Sequence, residues 1–188
     1  MKVGDFIGYV ASLPDEAERV HGHGYLLNLY MLAESLGAKR VLEFGFGWGY
    51  SAMAFAASLG NRAGTLISYD PVPREDPAPL IEFALRQGCT LDFRAAYVQD
   101  YDDDTPLDLV YVDGAVDRVC EDFNQLRSHV RPGGLIVIDG LGDLHRKDYG
   151  QDVQSAQTIM LGNAGHLILP WRYCMHYQHG LHVVQEAA

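Results

Sequence analysis

The densest chemical signal in the chain is Val41-Leu42-Glu43-Phe44-Gly45-Phe46-Gly47-Trp48-Gly49-Tyr50-Ser51. An apolar run carries an acidic residue near its end, and three glycines follow at alternate positions. Glycines allow a tight turn and let a ligand approach the backbone, while a helix that starts there offers unpaired N–H groups. The fingerprint of a nicotinamide dinucleotide site would need its third glycine at position 50, which is Tyr50. The pattern here is instead E-x-G-x-G-x-G. Asp70 lies 21 positions beyond Gly49, where a strand-end carboxylate can accept both hydroxyls of a ribose. Asp113 closes a second apolar run, Leu-Val-Tyr-Val-Asp-Gly, and Asp139 closes a third.

Candidates for proton transfer are histidines, because imidazole changes charge near neutral pH. His145 stands six residues past Asp139, beyond the end of a strand that should face a ligand. His21 and His23 form His-Gly-His-Gly just before a helix. The bland alternative for each is a solvated loop residue. His176, His179 and His182 do not converge as two histidines on one helical turn would, so they make a poor metal site. The run Asp100–Asp104 lacks the glycine and glutamate of a calcium-binding loop and reads as a solvated surface loop. Phe46, Trp48 and Tyr50 suit either the core or an aromatic wall of the site.

These residues need elements to hold them. Apolar spacing predicts helices over Val3–Leu13 and Tyr25–Leu36, the second ended by Gly37. A buried strand at Arg40–Phe44 leads through the glycine turn to a helix at Tyr50–Leu59. There follow a strand at Thr65–Tyr69, a helix within Ala78–Gln87, and strands near Thr90–Ala95 and at Leu107–Asp113. A helix at Val116–Val130, a strand at Gly134–Asp139 and a helix at Val153–Leu161 come next. Alternating strands and helices imply a parallel sheet covered on both faces. The strands His166–Trp171 and Leu181–Gln185 have no room for a helix between them, so they should run antiparallel. The expected fold is α/β and Rossmann-like: a doubly wound, mostly parallel seven-stranded sheet closing with an antiparallel C-terminal hairpin.

Composition bounds the partners. The 188 residues suit one domain, residues 1–188, with 1–36 as a helical cover and 37–188 as the core. The net charge of −11 opposes binding to nucleic acid, which needs clustered Lys and Arg. No apolar run is long enough to span a bilayer, and the first residues make a poor signal peptide. The expectation is a cytoplasmic protein without membrane partners. Cys89, Cys120 and Cys174 are scattered, which disfavours a disulfide framework or a zinc knuckle.

The E-x-G-x-G-x-G stretch, Asp70, Asp113, the Arg131-Pro132-Gly133-Gly134 turn and the closing hairpin together resemble class I S-adenosylmethionine-dependent methyltransferases. The likeness runs from about Tyr25 to the C-terminus. Gly24-Tyr25-Leu26-Leu27 through Glu43 is most similar to the small O-methyltransferases related to catechol O-methyltransferase. The resemblance implies S-adenosylmethionine as cofactor and methyl transfer to an oxygen of a small molecule. It assigns Gly45, Gly47 and Gly49 to backbone approach, Asp70 to the ribose, and Glu43 and Asp113 to the amino acid moiety. Phe46, Tyr50, Ser51, Pro71, Ala96, Tyr97 and Gly114 complete the implied cofactor set. Where the family often places an acid for the adenine, this chain has Ala95-Ala96-Tyr97, so backbone, Tyr97 or Gln99 must substitute. Part of that branch holds a divalent metal with an Asp after strand four and an Asp-Asn pair after strand five. This chain offers Asp113 and Asp139 followed by Gly140, so a metal-free site is favoured over Mg²⁺. His145, Asp139 and His23 are the catalytic candidates. An acceptor would be bound by the His21–Tyr25 segment and the loop after Asp139, with a homodimer partner as a further contributor. The alternatives are another transferase on the same fold, a non-catalytic S-adenosylmethionine-binding module, or a nicotinamide oxidoreductase, which Tyr50 and the hairpin disfavour.

Overall fold

The structure, a computed structural model, describes residues 1–13, 23–114, 119–139 and 182–185. The chain divides into two compact units, Met1–Tyr97 and Val98–Ala188.

In the first unit, α1 (Val3–Ala11) and α2 (His23–Leu36) precede β1 (Arg40–Phe44). Then come α3 (Tyr50–Leu59), β2 (Thr65–Tyr69), α4 (Ala78–Gln87) and β3 (Thr90–Arg94). Strand β2 is paired in parallel with β1 on one side and β3 on the other. The register sets Phe44 beside Tyr69, and Tyr69 beside Arg94. All three strands therefore end level, and Gly45, Asp70 and Ala95 leave the sheet at one edge. Helix α3 is buried from Ser51 to Leu59, and its Ala52, Ala54, Ala56 and Ala57 are closed to solvent. Small side chains let this helix sit close to its neighbours, and α2 packs along it. On α1, Phe6 and Val10 are buried, and the Phe6 ring stacks on Tyr30 of α2 at 4.6 Å.

The second unit holds β4 (Leu107–Val112), α5 (Val119–Leu126), β5 (Val130–Ile138) and β6 (His182–Gln185). Strands β4 and β5 are parallel, and β6 runs antiparallel along β5 from Ile138↔His182 to Leu135↔Gln185. Strand–helix alternation with parallel pairing appears in both units, which is the α/β Rossmann-like class.

Most boundaries lie within two residues of expectation, the usual scatter at element ends. One difference has a clear cause. The helix expected to reach Val130 ends at Leu126, a 3₁₀ turn spans Arg127–His129, and β5 begins at Val130 instead of Gly134. Val130 pairs with Leu107, and pairing resumes at Leu135↔Leu109. Four residues stand against one in that interval, so Arg131-Pro132-Gly133-Gly134 bulges from the strand, with Gly133 at φ 75°. Arg131 Nε donates to Asp108 Oδ1 at 2.6 Å across the bulge. Residues 115–118 of the expected fifth-unit helix, the helix Val153–Leu161 and the strand His166–Trp171 lie outside the described residues. Among the described residues, no helix is long and apolar enough to cross a membrane.

Candidate functional site

The glycine turn forms where β1 must reverse into α3. Gly45, Gly47 and Gly49 all have positive φ, of 98°, 50° and 79°. Side chains with a Cβ rarely adopt that conformation. Gly45 N–H donates to Tyr69 O at 2.9 Å, which ties the turn to β2. Gly49 N–H donates to Phe46 O at 2.7 Å and closes the turn on itself. The two later glycines differ in surroundings. A Cβ on Gly49 would lie 2.8 Å from Phe46 Cζ, so that position is filled by protein. A Cβ on Gly47 would meet nothing within 4 Å, so its backbone faces open space.

Asp70 clasps this open glycine. Its Oδ2 accepts from Gly47 N–H and its Oδ1 from Val72 N–H, both at 2.8 Å. Gly47 O in turn accepts from Arg74 N–H at 3.0 Å. One peptide of the glycine turn is thus held from both sides by the loop after β2. Each Asp70 oxygen retains a lone pair, so the half-buried carboxylate can still accept hydroxyls. Pro71 lies in the same loop and is partly exposed.

Glu43 sits on the other side of the turn and is fully buried. Ser51 of α3 donates to its Oε1 at 2.6 Å, and Ser68 of β2 donates to its Oε2 at 2.5 Å. Burial drives its pKa up to about 7 from the ordinary 4.5; the two serine bonds work against the rise, and the charge of Asp70 adds to it. Ser51 thus links the first turn of α3 to this acid. Phe46 is buried and meets Phe93 edge-on at 5.0 Å, so it belongs to the core. Tyr50 opens α3 and is partly exposed.

Beyond β3, Ala96 N–H is taken by Arg94 O at 2.8 Å, and Tyr97 is 54% exposed. Tyr97 therefore offers a free aromatic surface. Gln99 is engaged elsewhere: its Nε2 donates to the buried Asp122 at 2.9 Å.

In the second unit, the register Val112↔Ile138 places Asp113 and Asp139 one step beyond paired strand ends. Asp139 N–H donates to Val112 O at 2.9 Å, so the two acids leave β4 and β5 side by side. Asp139 is buried, whereas Asp113 and Gly114 are partly exposed. Tyr111 Oη donates to Asp113 Oδ2 at 3.3 Å. Among the described residues, no group of three His, Cys, Asp or Glu side chains is arranged to hold a metal ion. His145 and His21 lie outside the described residues, and His23 is the first residue of α2.

Two interactions were beyond sequence reasoning: the backbone clasp on Gly47 and the two-serine seat of Glu43. Ser68 carried a signal only in hindsight, since its register partner on β1 is Glu43.

Comparison with known proteins follows from this geometry. A sequence family described as "Methyltransferase domain" matches residues 42–141, just over half of the chain. Caffeoyl-CoA O-methyltransferase 2 of Zea mays is 33% identical over 126 residues, covering 62% of this chain and 46% of that protein. The chain therefore spans about half the length of the curated relative it matches. The O-methyltransferase TomG of Streptomyces achromogenes, solved in complex with SAM, superposes with a TM-score of 0.72 at 22% identity, over 99% of this chain and 89% of that one. An O-methyltransferase from Bacillus cereus, solved with SAH, gives a TM-score of 0.72 at 17% identity, over 99% and 90%. At these identities the two structures show a common fold.

Proposed function

The chain belongs to the methyltransferase-domain family, and from that membership we propose that it transfers the methyl group of S-adenosylmethionine to an oxygen of a small molecule. The observation that carries the reading is the clasp of Gly47 by Asp70, directly after a strand that ends in Glu43-Phe44. Identity to an O-methyltransferase supports oxygen as the acceptor atom.

The residues present fit this cofactor. Gly47 leaves its backbone open to an approaching ligand, and Asp70 is a fixed carboxylate beside it. Asp70 would hold the ribose hydroxyls, and the Gly45–Gly49 backbone would line the cofactor. Ser51, supported from behind by Glu43, would meet the amino acid moiety, with Asp113 and Gly114 as further partners. Pro71, Ala96 and Tyr97 would flank the adenine, the exposed Tyr97 ring packing against its face. When bound, S-adenosylmethionine supplies a methyl group on a positively charged sulfur.

The chain's own catalytic task is then modest. Methyl transfer is an in-line displacement, so orientation of the acceptor supplies much of the rate. A base has only to take the acceptor's hydroxyl proton, and we assign that role to His145. Asp139, buried at the end of β5, and His23, at the start of α2, would orient the acceptor. With Gly140 after Asp139, the acid pair lacks a carboxamide partner, and the reading is a metal-free site. We extend the same reading to a seven-stranded sheet, with a strand over 166–171 pairing with β6, to a single methyltransferase domain formed by the whole chain, and to a homodimer.

Calorimetry with S-adenosylmethionine, S-adenosylhomocysteine and NAD tests the cofactor. Binding of the two sulfur compounds and not of NAD is expected; NAD binding alone would sink the reading. Transfer of a labelled methyl group to a panel of hydroxylated and aminated small molecules then tests the acceptor atom.

A further inference from the structure

The geometry points to Glu43 as a positioning residue that distinguishes the cationic methyl donor from the neutral product, by acting through Ser51 on the glycine turn. The inference rests on the cofactor reading above and concerns how the same site treats its two ligands.

Glu43 is a fully buried acid whose oxygens are met only by hydroxyls, those of Ser51 and Ser68. The ion pairs of its unit are formed elsewhere, between Arg62 and Glu34, Arg86 and Glu82, and Arg94 and Asp92. Among the described residues, no cation pairs with Glu43. Its neighbours explain why. Helix α3 presents Ser51, and its only ionisable side chain is Tyr50. Strand β2 presents Ser68, and strand β3 has Phe93 in register with it. By strand alternation Arg40, Tyr69, Asp92 and Arg94 point to the opposite face of the sheet. The loop after β2 adds Asp70, a second negative charge.

A buried carboxylate without a cation is costly, and two hydroxyl donors offset only part of that cost. The missing positive charge must come from a ligand. S-adenosylmethionine carries it on sulfur. After transfer, the methyl–sulfur bond has broken with its electron pair left on sulfur, and the thioether product has lost that charge. The acceptor gains a carbon–oxygen bond and gives up its proton. Donor binding therefore favours ionised Glu43 and expels its proton, whereas product binding leaves the proton in place. The pKa of about 7 in the free protein puts this exchange within the neutral range.

The test is titration calorimetry of S-adenosylmethionine and S-adenosylhomocysteine from about pH 6 to 8, in buffers of differing ionisation enthalpy, which counts protons released on binding. Linkage to one proton limits the gain in donor affinity to about tenfold across that range. The expected result is such a gain for the donor, with proton release, and none for the product. Glu43→Gln keeps an acceptor for the serines and leaves the ligands' own titration unchanged, so the donor's extra gain should vanish in it. Equal proton release by both ligands in the wild-type protein, or donor-linked release that survives in Glu43→Gln, would overturn the proposal. Should the variant fail to fold, the wild-type comparison of the two ligands decides alone. If neither ligand binds at any pH, the cofactor reading itself falls, and this inference with it.

Discussion

Asp70 does two things at once: it holds the peptide of Gly47 and presents a carboxylate beside it. Removing the side chain should therefore loosen the turn and remove a charged acceptor. Asp70→Ala is expected to weaken S-adenosylhomocysteine binding by about 1.5–3 kcal/mol, roughly ten- to hundredfold in Kd, measured by calorimetry. His145→Ala should behave in the opposite way, lowering kcat with cofactor affinity unchanged; an unaltered kcat would eliminate it as the base. Glu43 makes a prediction about stability. Its folded-state pKa lies above the unfolded value, so the folded protein binds the extra proton between about pH 4.5 and 7. Stability from this residue is present at the acid end of that window and is lost as pH rises through 7. Glu43→Gln removes the burden of ionisation, so its Tm should exceed that of the wild type at pH 8, with the gap closing toward pH 5.

At the scale of elements, the junction of β1 and α3 is the most constrained part of the first unit. Gly49 stands at the N-cap of α3 in the left-handed region, with Phe46 against the position of a Cβ. Gly49→Ala meets both penalties, backbone strain and overpacking against an aromatic ring that is itself fixed on Phe93. It should destabilise the fold by about 2–4 kcal/mol, read by chemical denaturation. Gly47→Ala has the same backbone strain without the clash. Its stability loss should be smaller, about 1–2 kcal/mol, while cofactor affinity falls because a methyl group enters the open side.

For the whole molecule, a cofactor that binds only the folded state must stabilise it. S-adenosylhomocysteine at a hundred times its Kd should add about 2.7 kcal/mol to unfolding, and NAD at the same concentration nothing. A metal-free site predicts that EDTA leaves methyl transfer unchanged and that added Mg²⁺ does not raise it; loss of activity in EDTA would return Asp113 and Asp139 to the role of ligands.

The sequence by itself determined the α/β alternation, the place of the glycine turn and the three acids beyond the strand ends. These are legible because they are local. Apolar runs and glycine spacing depend on nearest neighbours along the chain, and β1, α3, β2 and α4 fall where the pattern puts them. The bulge at Arg131–Gly134 was not legible, since it arises from the pairing of Val130 with Leu107, a contact made across the sheet. The same holds at the site. Glu43 was visible as an acid near a strand end, but whether it meets ligand or core depends on parallel register. That register sets Ser68 beside it, and α3 lowers Ser51 onto it. Tertiary packing alone made it a buried acid without a cation, because desolvation is a property of everything that surrounds a group and not of its neighbours in sequence.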